Sequence, residues 1–227
     1  MIQGIVIQGP TNYCREVAPI YENVPNVVWS TWEDEPQENI QYIQQYVPVV
    51  LNKKPNFPGH LNINMQTVST VAGIEYLKER GVTEVLKTRG DLKITNLENF
   101  LNILAGRSIS FLAKAKENQR RDLYYELEYA HYSHDYPVDL IVYGETNVME
   151  CMFGFEIQNF NPIPPEALLA YTFMKAKGIT FSLNDEVFSQ EVTYFLADCL
   201  ENNIELKWLK HDSDIVLSHM NKDIYVY

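Results

Sequence analysis

With 227 residues, 46% of them hydrophobic and 21% charged, the chain can bury a large single core without disulfides or a structural metal. Eighteen Lys and Arg against 30 Asp and Glu leave a formal charge of −12, which repels polyanions and argues against general nucleic-acid binding. Three scattered cysteines, Cys14, Cys151 and Cys199, give neither a disulfide framework nor a zinc ribbon, and no apolar run reaches the roughly 18 residues of a membrane span. The opening MIQGIVIQGPTN lacks a basic region and has only a short apolar run, so it does not read as a signal peptide. The expectation is a cytoplasmic protein without a transmembrane segment, in which a small anion binds only where local cations reverse the field.

Residues 2–8 (IQGIVIQ) form a β-branched apolar run ended by Gly9-Pro10, which predicts a buried strand and a turn. Thr11 is placed to cap a helix running toward Asn23. Residues 26–31 (NVVWST) predict a second strand. The stretch EDEPQENIQYIQQY predicts a helix from near Pro36, because proline suits a helix's first turn. A third strand follows at 47–51 (VPVVL), then the loop NKKPNFPGH. Ile63, Val68, Val71, Ile74 and Leu77 recur at helical spacing, which predicts a helix from about Asn62 to Arg80 with Gly81 as its stop. Residues 83–89 (TEVLKTR) predict a strand ending at Gly90-Asp91, and Thr95 with Glu98 has capping-box spacing for a helix through about Leu104.

Strand character returns at 108–114 and 138–144, while 117–136 mixes helical and loop signals. Pro164-Pro165-Glu166 opens a helix to about Lys177, and a long helix spans about Asn184 to Glu201. IELKWL and DIYVY supply two late strand-like pieces. Strands alternating with helices predict an α/β domain with a mainly parallel sheet, whose ligands sit at the carboxyl ends of the strands. Those ends read QGPT, STWEDE, KTRGD and YGET.

The sharpest of these is Lys87-Thr88-Arg89-Gly90-Asp91. In an extended segment Lys87, Arg89 and Asp91 project on one side. Two cations leaving a buried strand suit a diphosphate, and Asp91 is suited to a divalent cation bridging it. Gly90 allows close backbone approach. The same residues read equally as an ion pair at a strand end. An adhesion role for RGD is set aside, because the pattern places it at a strand end and not on an exposed hairpin. His131-Tyr-Ser-His134-Asp135 lacks the further paired ligands that a metal site needs.

IVIQGP, WSTWEDE, NINMQTVSTVAGIEYLKERGVTEVLKTRGDL, DLIVYG and PPEALLAYTFMKAKGI follow in this order over most of residues 4–180. Together they resemble the WavE-type lipopolysaccharide-synthesis family of glycosyltransferases. That family has a strand ending in QGP, an STWE segment, an N-x-N-x-Q-x-x-ST-x-x-G helix and a strand ending in K-x-R-x-D. It usually carries Arg where this chain has Met65, which removes one expected cation. The resemblance implies a GT-A-like, Rossmann-type sandwich in one domain, residues 1–227. Residues 1–115 would bind the nucleotide sugar and residues 116–227 would face the acceptor.

By that resemblance, Gln8, Gly9, Pro10, Thr31 and Glu33 border the base or ribose. Asn62, Asn64, Gln66 and Ser69 line the cleft from the helix start, the alternative being capping and loop hydrogen bonds. Residues 89–91 stand where such enzymes carry DxD, so a divalent cation, Mn or Mg, is expected on Asp91. Lys210 and His211 are candidates for a late metal or phosphate contact, with plain surface exposure as the alternative. Inverting transfer needs a carboxylate to deprotonate the acceptor hydroxyl. Asp139 and Glu166 match family segments, and Glu166 is favoured because it opens a helix on the acceptor side, although helix dipoles also favour acids there. The implied activity moves a sugar from a nucleotide-sugar donor to a glycan acceptor in surface polysaccharide synthesis. The alternative is a nucleotide-sugar or glycan-binding module of the same fold. A sugar-phosphate nucleotidyltransferase would need an early glycine-rich phosphate loop, which QGPTNYC does not supply.

Overall fold

Ile5, Val6 and Ile7 are all buried, so the first strand is covered on both faces, as the central strand of a parallel sheet must be. The structure is a computed structural model that describes residues 3–104, 109–112, 141–154, 169, 206–211 and 213–214. In chain order, β1 (Gln3–Gln8) leads to a one-turn helix α1 (Cys14–Val17) and a 3₁₀ turn (Ala18–Tyr21). Then come β2 (Val27–Trp32), α2 (Gln37–Ile43), β3 (Val49–Asn52) and α3 (Ile63–Lys78). β4 (Glu84–Arg89), β5 (Leu92–Ile94), α4 (Leu97–Leu104) and β6 (Ile109–Leu112) follow. β7 (Ile141–Glu145) runs directly into α5 (Thr146–Phe153), and β8 (Leu206–Trp208) and β9 (Ser213–Asp214) come last.

The main sheet has the order β3-β2-β1-β4-β7-β6. β1 pairs in parallel with β2 and β4, and β2 with β3. β7 is antiparallel to both β4 and β6, so β6 runs with the other four and β7 alone is reversed. The fold is therefore mixed α/β with a mainly parallel central sheet, as the alternation of elements predicts. A small antiparallel sheet, β5-β8-β9, lies beside it.

Because side chains alternate along a strand, the sheet sorts its apolar residues into two cores. Ile5, Ile7, Val27, Trp29, Leu86 and Tyr143 join Val17, Tyr21 and Phe100 on one face. Val6, Val28, Val85 and Val142 join Ile74, Leu77, Met149 and Phe153 on the other. On the second face α3 lies unusually close. A Cβ on Gly73 would stand 2.5 Å from Cγ1 of Val6 and 3.3 Å from Cβ of Ser30. Leu77, one turn later, packs over Gly4. The helix therefore runs from strand ends to strand starts, which carries its first turns toward the carboxyl edge.

The expected elements in the first hundred residues are present, with small shifts in their bounds. The helix expected from Thr11 to Asn23 is shortened to α1 and a 3₁₀ turn, since Pro19 enters at the second position and cannot donate its own hydrogen bond. α5 and β5 go beyond the sequence expectations. The helices expected at 164–177 and 184–201, the mixed segment 117–136 and DIYVY lie outside the described residues, except that Leu169 is helical and buried. Among the described residues no helix is long and apolar enough to cross a membrane.

The YGET segment requires a correction. β7 runs against β4, with Glu84 opposite Glu145 and Lys87 opposite Val142. Tyr143 to Thr146 therefore lie at the amino edge of the parallel strands, away from QGPT, STWEDE and KTRGD. There the Tyr143 hydroxyl donates to Glu84, and Gln3 donates to Tyr143 at 3.2 Å. The Thr146 hydroxyl donates to the Val82 carbonyl at 3.0 Å. An apolar run ending in glycine carries no sign of its direction, and β7 fits both cores whichever way it runs.

Candidate functional site

The carboxyl ends of β1, β2 and β4 are stitched together by their own backbone. Gly9, at φ 111°, turns the chain and donates its N–H to the Ser30 carbonyl at 3.1 Å. Gly90 donates to the Gln8 carbonyl at 2.9 Å. The Trp29 indole N–H donates to the Gly9 carbonyl at 3.2 Å. A Cβ on residue 90 would stand 2.6 Å from Cζ2 of Trp29 and 2.7 Å from the Pro10 carbonyl oxygen, so only glycine fits. The QGP and RGD turns are thus in direct contact.

At the second turn, Arg89 donates through Nε and Nη2 to the two oxygens of Asp91, each at 2.8 Å. The Asp91 side chain is 6% exposed and that of Arg89 23%. The Asp91 carbonyl accepts from the Leu209 N–H at 2.9 Å, which sets the short 3₁₀ turn Leu209–His211 against it. This brings the backbone of Lys210 and His211 near Asp91; the Lys210 side chain is exposed, as its surface alternative has it. Lys87 lies elsewhere. It is fully buried on the α3 and α5 face, with Nζ 5.8 Å from the Phe153 ring centroid, a cation–π distance. The alternation expected to place Lys87, Arg89 and Asp91 on one side holds as far as Arg89, where β4 ends; Asp91 belongs to the turn.

The bidentate clasp does not fit Asp91 as a dedicated metal ligand, because both of its oxygens already face a guanidinium. Among the described residues, no group of three or more His, Cys, Asp or Glu is placed to hold a metal ion.

Beside the first turn, the sequence reading named Thr31 and Glu33. Thr31 is fully buried, and its hydroxyl has no hydrogen-bond partner among the described residues. Glu33 is exposed, and its main-chain N–H donates to the Asn52 carbonyl at 3.0 Å. The acid that reaches the turn is Glu35. It accepts from the Thr11 hydroxyl at 2.5 Å and the Thr11 N–H at 3.1 Å, while Asn39 donates to the Thr11 hydroxyl at 3.1 Å. Asn52 ties β3 to β2 by donating to the Ser30 hydroxyl at 2.9 Å and the Thr31 carbonyl at 2.8 Å. The presence of Glu35 in STWEDE and of Asn52 directly after an apolar strand was the available signal for both. At the rim, Lys54 pairs with Asp34 at 2.7 Å and holds its carboxyl below the usual range.

The helix motif divides. Asn62 is exposed in a left-handed conformation, φ 64°. Asn64 is buried and donates to the Phe57 carbonyl at 3.1 Å, closing the preceding loop. The Ser69 hydroxyl donates to the Met65 carbonyl at 2.9 Å, inside its own helix. These two follow the capping and loop reading. Gln66, Thr67 and Thr70 are also buried, and the hydroxyls of Thr67 and Thr70 have no hydrogen-bond partner among the described residues. A helix interior this polar is unusual, since buried polar groups are normally paired.

One end of the sheet thus gathers Gln8, Gly9, Pro10, Thr31, Glu33, Arg89 and Asp91, with the polar start of α3 directed toward the same edge. Asp139, Glu166, His131 and His134 lie outside the described residues.

No protein-family model matches the chain. No curated protein matches it. Among solved structures it is similar to a cytidylyltransferase from Leptospira borgpetersenii serovar Hardjo-bovis, at 12% identity and TM-score 0.44, covering 79% of this chain and 74% of that one. It is also similar to a glucose-1-phosphate thymidylyltransferase from Bacillus anthracis in complex with a sucrose, at 11% and 0.39, covering 80% and 98%. A third is the apo form of mouse xyloside xylosyltransferase 1, at 9% and 0.37, covering 85% and 82%. These are likenesses of chain path at low identity, and any functional reading rests on the residues at the carboxyl edge.

Proposed function

We propose that the protein is a nucleotide-sugar-dependent glycosyltransferase of the WavE type, with a GT-A-like fold, that extends a surface glycan. One observation carries this reading: the QGP turn, the STWEDE segment and the RGD turn meet at one edge of a mainly parallel sheet, the position where such folds bind ligands. In this reading Arg89, held in the plane of Asp91, faces the diphosphate. Lys87 adds positive potential from beneath, where a low dielectric lengthens its reach. Gln8, Thr31 and Gln66 offer neutral hydrogen-bonding groups to base, ribose or sugar. The acceptor is a glycan bound by residues 116–227, and Glu166 or Asp139 removes the acceptor's hydroxyl proton.

The test is turnover of a nucleotide-sugar panel by purified protein. Slow hydrolysis of one donor is expected, lost in Asp91→Ala. Glu166→Gln or Asp139→Asn is expected to lower transfer while leaving donor binding intact. A panel with neither binding nor turnover, with or without Mg²⁺ and Mn²⁺, overturns the proposal. A second reading, a non-catalytic nucleotide-sugar-binding module, is favoured by one observation: the commitment of Asp91 to Arg89. It predicts donor binding without transfer to any acceptor extract.

A further inference from the structure

The two turns of the site touch through their backbone, and both also rest on one side chain that belongs to the core. Trp29 is fully buried in β2, next to Ile7 in register, and packs with the apolar residues of that face. Its N–H leaves that apolar setting to bond the Gly9 carbonyl at 3.2 Å, a turn carbonyl outside the strand ladder. The ring carbons next to that nitrogen, Cε2 and Cζ2, fill the space where a side chain on residue 90 would stand. The Gly90 N–H to Gln8 carbonyl bond, at 2.9 Å, closes the triangle. One flat bicycle therefore meets the QGP turn through its nitrogen and the RGD turn through its edge.

We infer that Trp29 is a positioning residue that fixes the distance between these turns and so the site's affinity for a nucleoside diphosphate. The affinity half rests on the function proposed above; the spacing half does not. A tryptophan has only two side-chain torsions and a rigid frame, so the spacing is set by covalent geometry and not by a flexible contact. Any buried indole N–H needs an acceptor, and here that acceptor is the carbonyl of the QGP turn.

The test compares Trp29→Phe, Gly90→Ala and their combination with wild type, using Tyr143→Phe at the opposite edge as a control. Two quantities are read: amide exchange at Gly9 and Gly90 relative to Val6 and Val28, and affinity for UDP, GDP, CDP, ADP and dTDP. Trp29→Phe is expected to raise exchange at the two glycines and to weaken diphosphate binding by about fivefold, the equivalent of one net hydrogen bond. Tyr143→Phe leaves both unchanged. Gly90→Ala weakens binding too; in the Trp29→Phe background the part owed to the ring edge is lost, while the part owed to the Pro10 carbonyl oxygen, 2.7 Å from the added Cβ, stays.

Exchange that rises no more at Gly9 and Gly90 than at Val6 and Val28 overturns the inference. Raised exchange with unchanged affinity overturns its affinity half. Where wild type binds none of the five diphosphates, the glycosyltransferase reading fails, and exchange still decides the spacing half. Where Trp29→Phe does not fold, Gly90→Ala decides alone: unaltered affinity and Gly9 exchange overturn the inference.

Discussion

Asp91 carries a carboxylate whose two oxygens both receive the Arg89 guanidinium. Paired, charge-assisted contacts of this kind hold a guanidinium in one plane, which suits it to meet a diphosphate. Asp91→Asn is therefore predicted to weaken nucleoside diphosphate binding by about tenfold, roughly 1.4 kcal/mol, with a smaller loss of stability because Arg89 is partly solvent-screened. Calorimetric titration beside a thermal melt measures both. Two phenols give a pH prediction. Burial pushes Tyr21 well above its ordinary range, and burial together with the Glu84 carboxylate does the same for Tyr143. In the unfolded chain both phenols ionise near 10.0, the ordinary value for tyrosine, while the fold retains their protons. The stability they contribute is present below that pH and is lost as pH rises above it. The Tyr21 hydroxyl has the Thr88 hydroxyl beside it but, among the described residues, makes no hydrogen bond of normal geometry. Tyr21→Phe is predicted to flatten the alkaline loss at little cost near neutrality, as denaturant melts between about pH 8 and 11 will read. At this scale the sequence marked Gln8, Thr31, Arg89 and Asp91 at the edge but chose Glu33 over Glu35. Three consecutive acids follow β2, and strand alternation no longer orders side chains once the strand has ended.

Helix α3 owes its position to Gly73, where Val6 and Ser30 leave no room for a Cβ. Gly73→Ala would force the helix off β1 and β2, a small-to-large change in a packed interface costing about 1–3 kcal/mol. That corresponds to a melting point lower by roughly 3–10 °C for a domain of this size, measurable by calorimetry. The reversal of β7 gives a contrasting prediction. Thr146 bonds the Val82 carbonyl at the amino edge, so Thr146→Ala is expected to lower the melting point while leaving nucleotide affinity untouched. Loss of affinity in that variant would contradict the placement of the site. Element types in the first hundred residues were legible because apolar periodicity and the Gly and Pro stops agree there. The direction of β7 was not, since Ile141, Val142 and Tyr143 are buried whichever way the strand runs.

For the whole molecule, a net charge of −12 confines anion binding to places where cations are built in, and the described carboxyl edge has Arg89 with Lys87 beneath it. The chain's net acidity repels anions in general, while this edge carries the Asp91-paired Arg89 and the buried Lys87. The α/β class followed from alternation of elements, and so did the edge shared by QGPT, STWEDE and KTRGD, but not the place of YGET. The clasp between Arg89 and Asp91 did not, because RGD at a strand end encodes a metal site and an internal ion pair equally well. The most direct test of the central claim is a thermal-shift screen of nucleotides and nucleotide sugars, each with and without Mn²⁺. Binding to the folded state raises its stability by about 2.7 kcal/mol at a hundredfold excess over Kd. A shift from at least one nucleotide sugar, abolished in Asp91→Ala, is the predicted result. No shift from any compound, with or without Mn²⁺, would contradict the account.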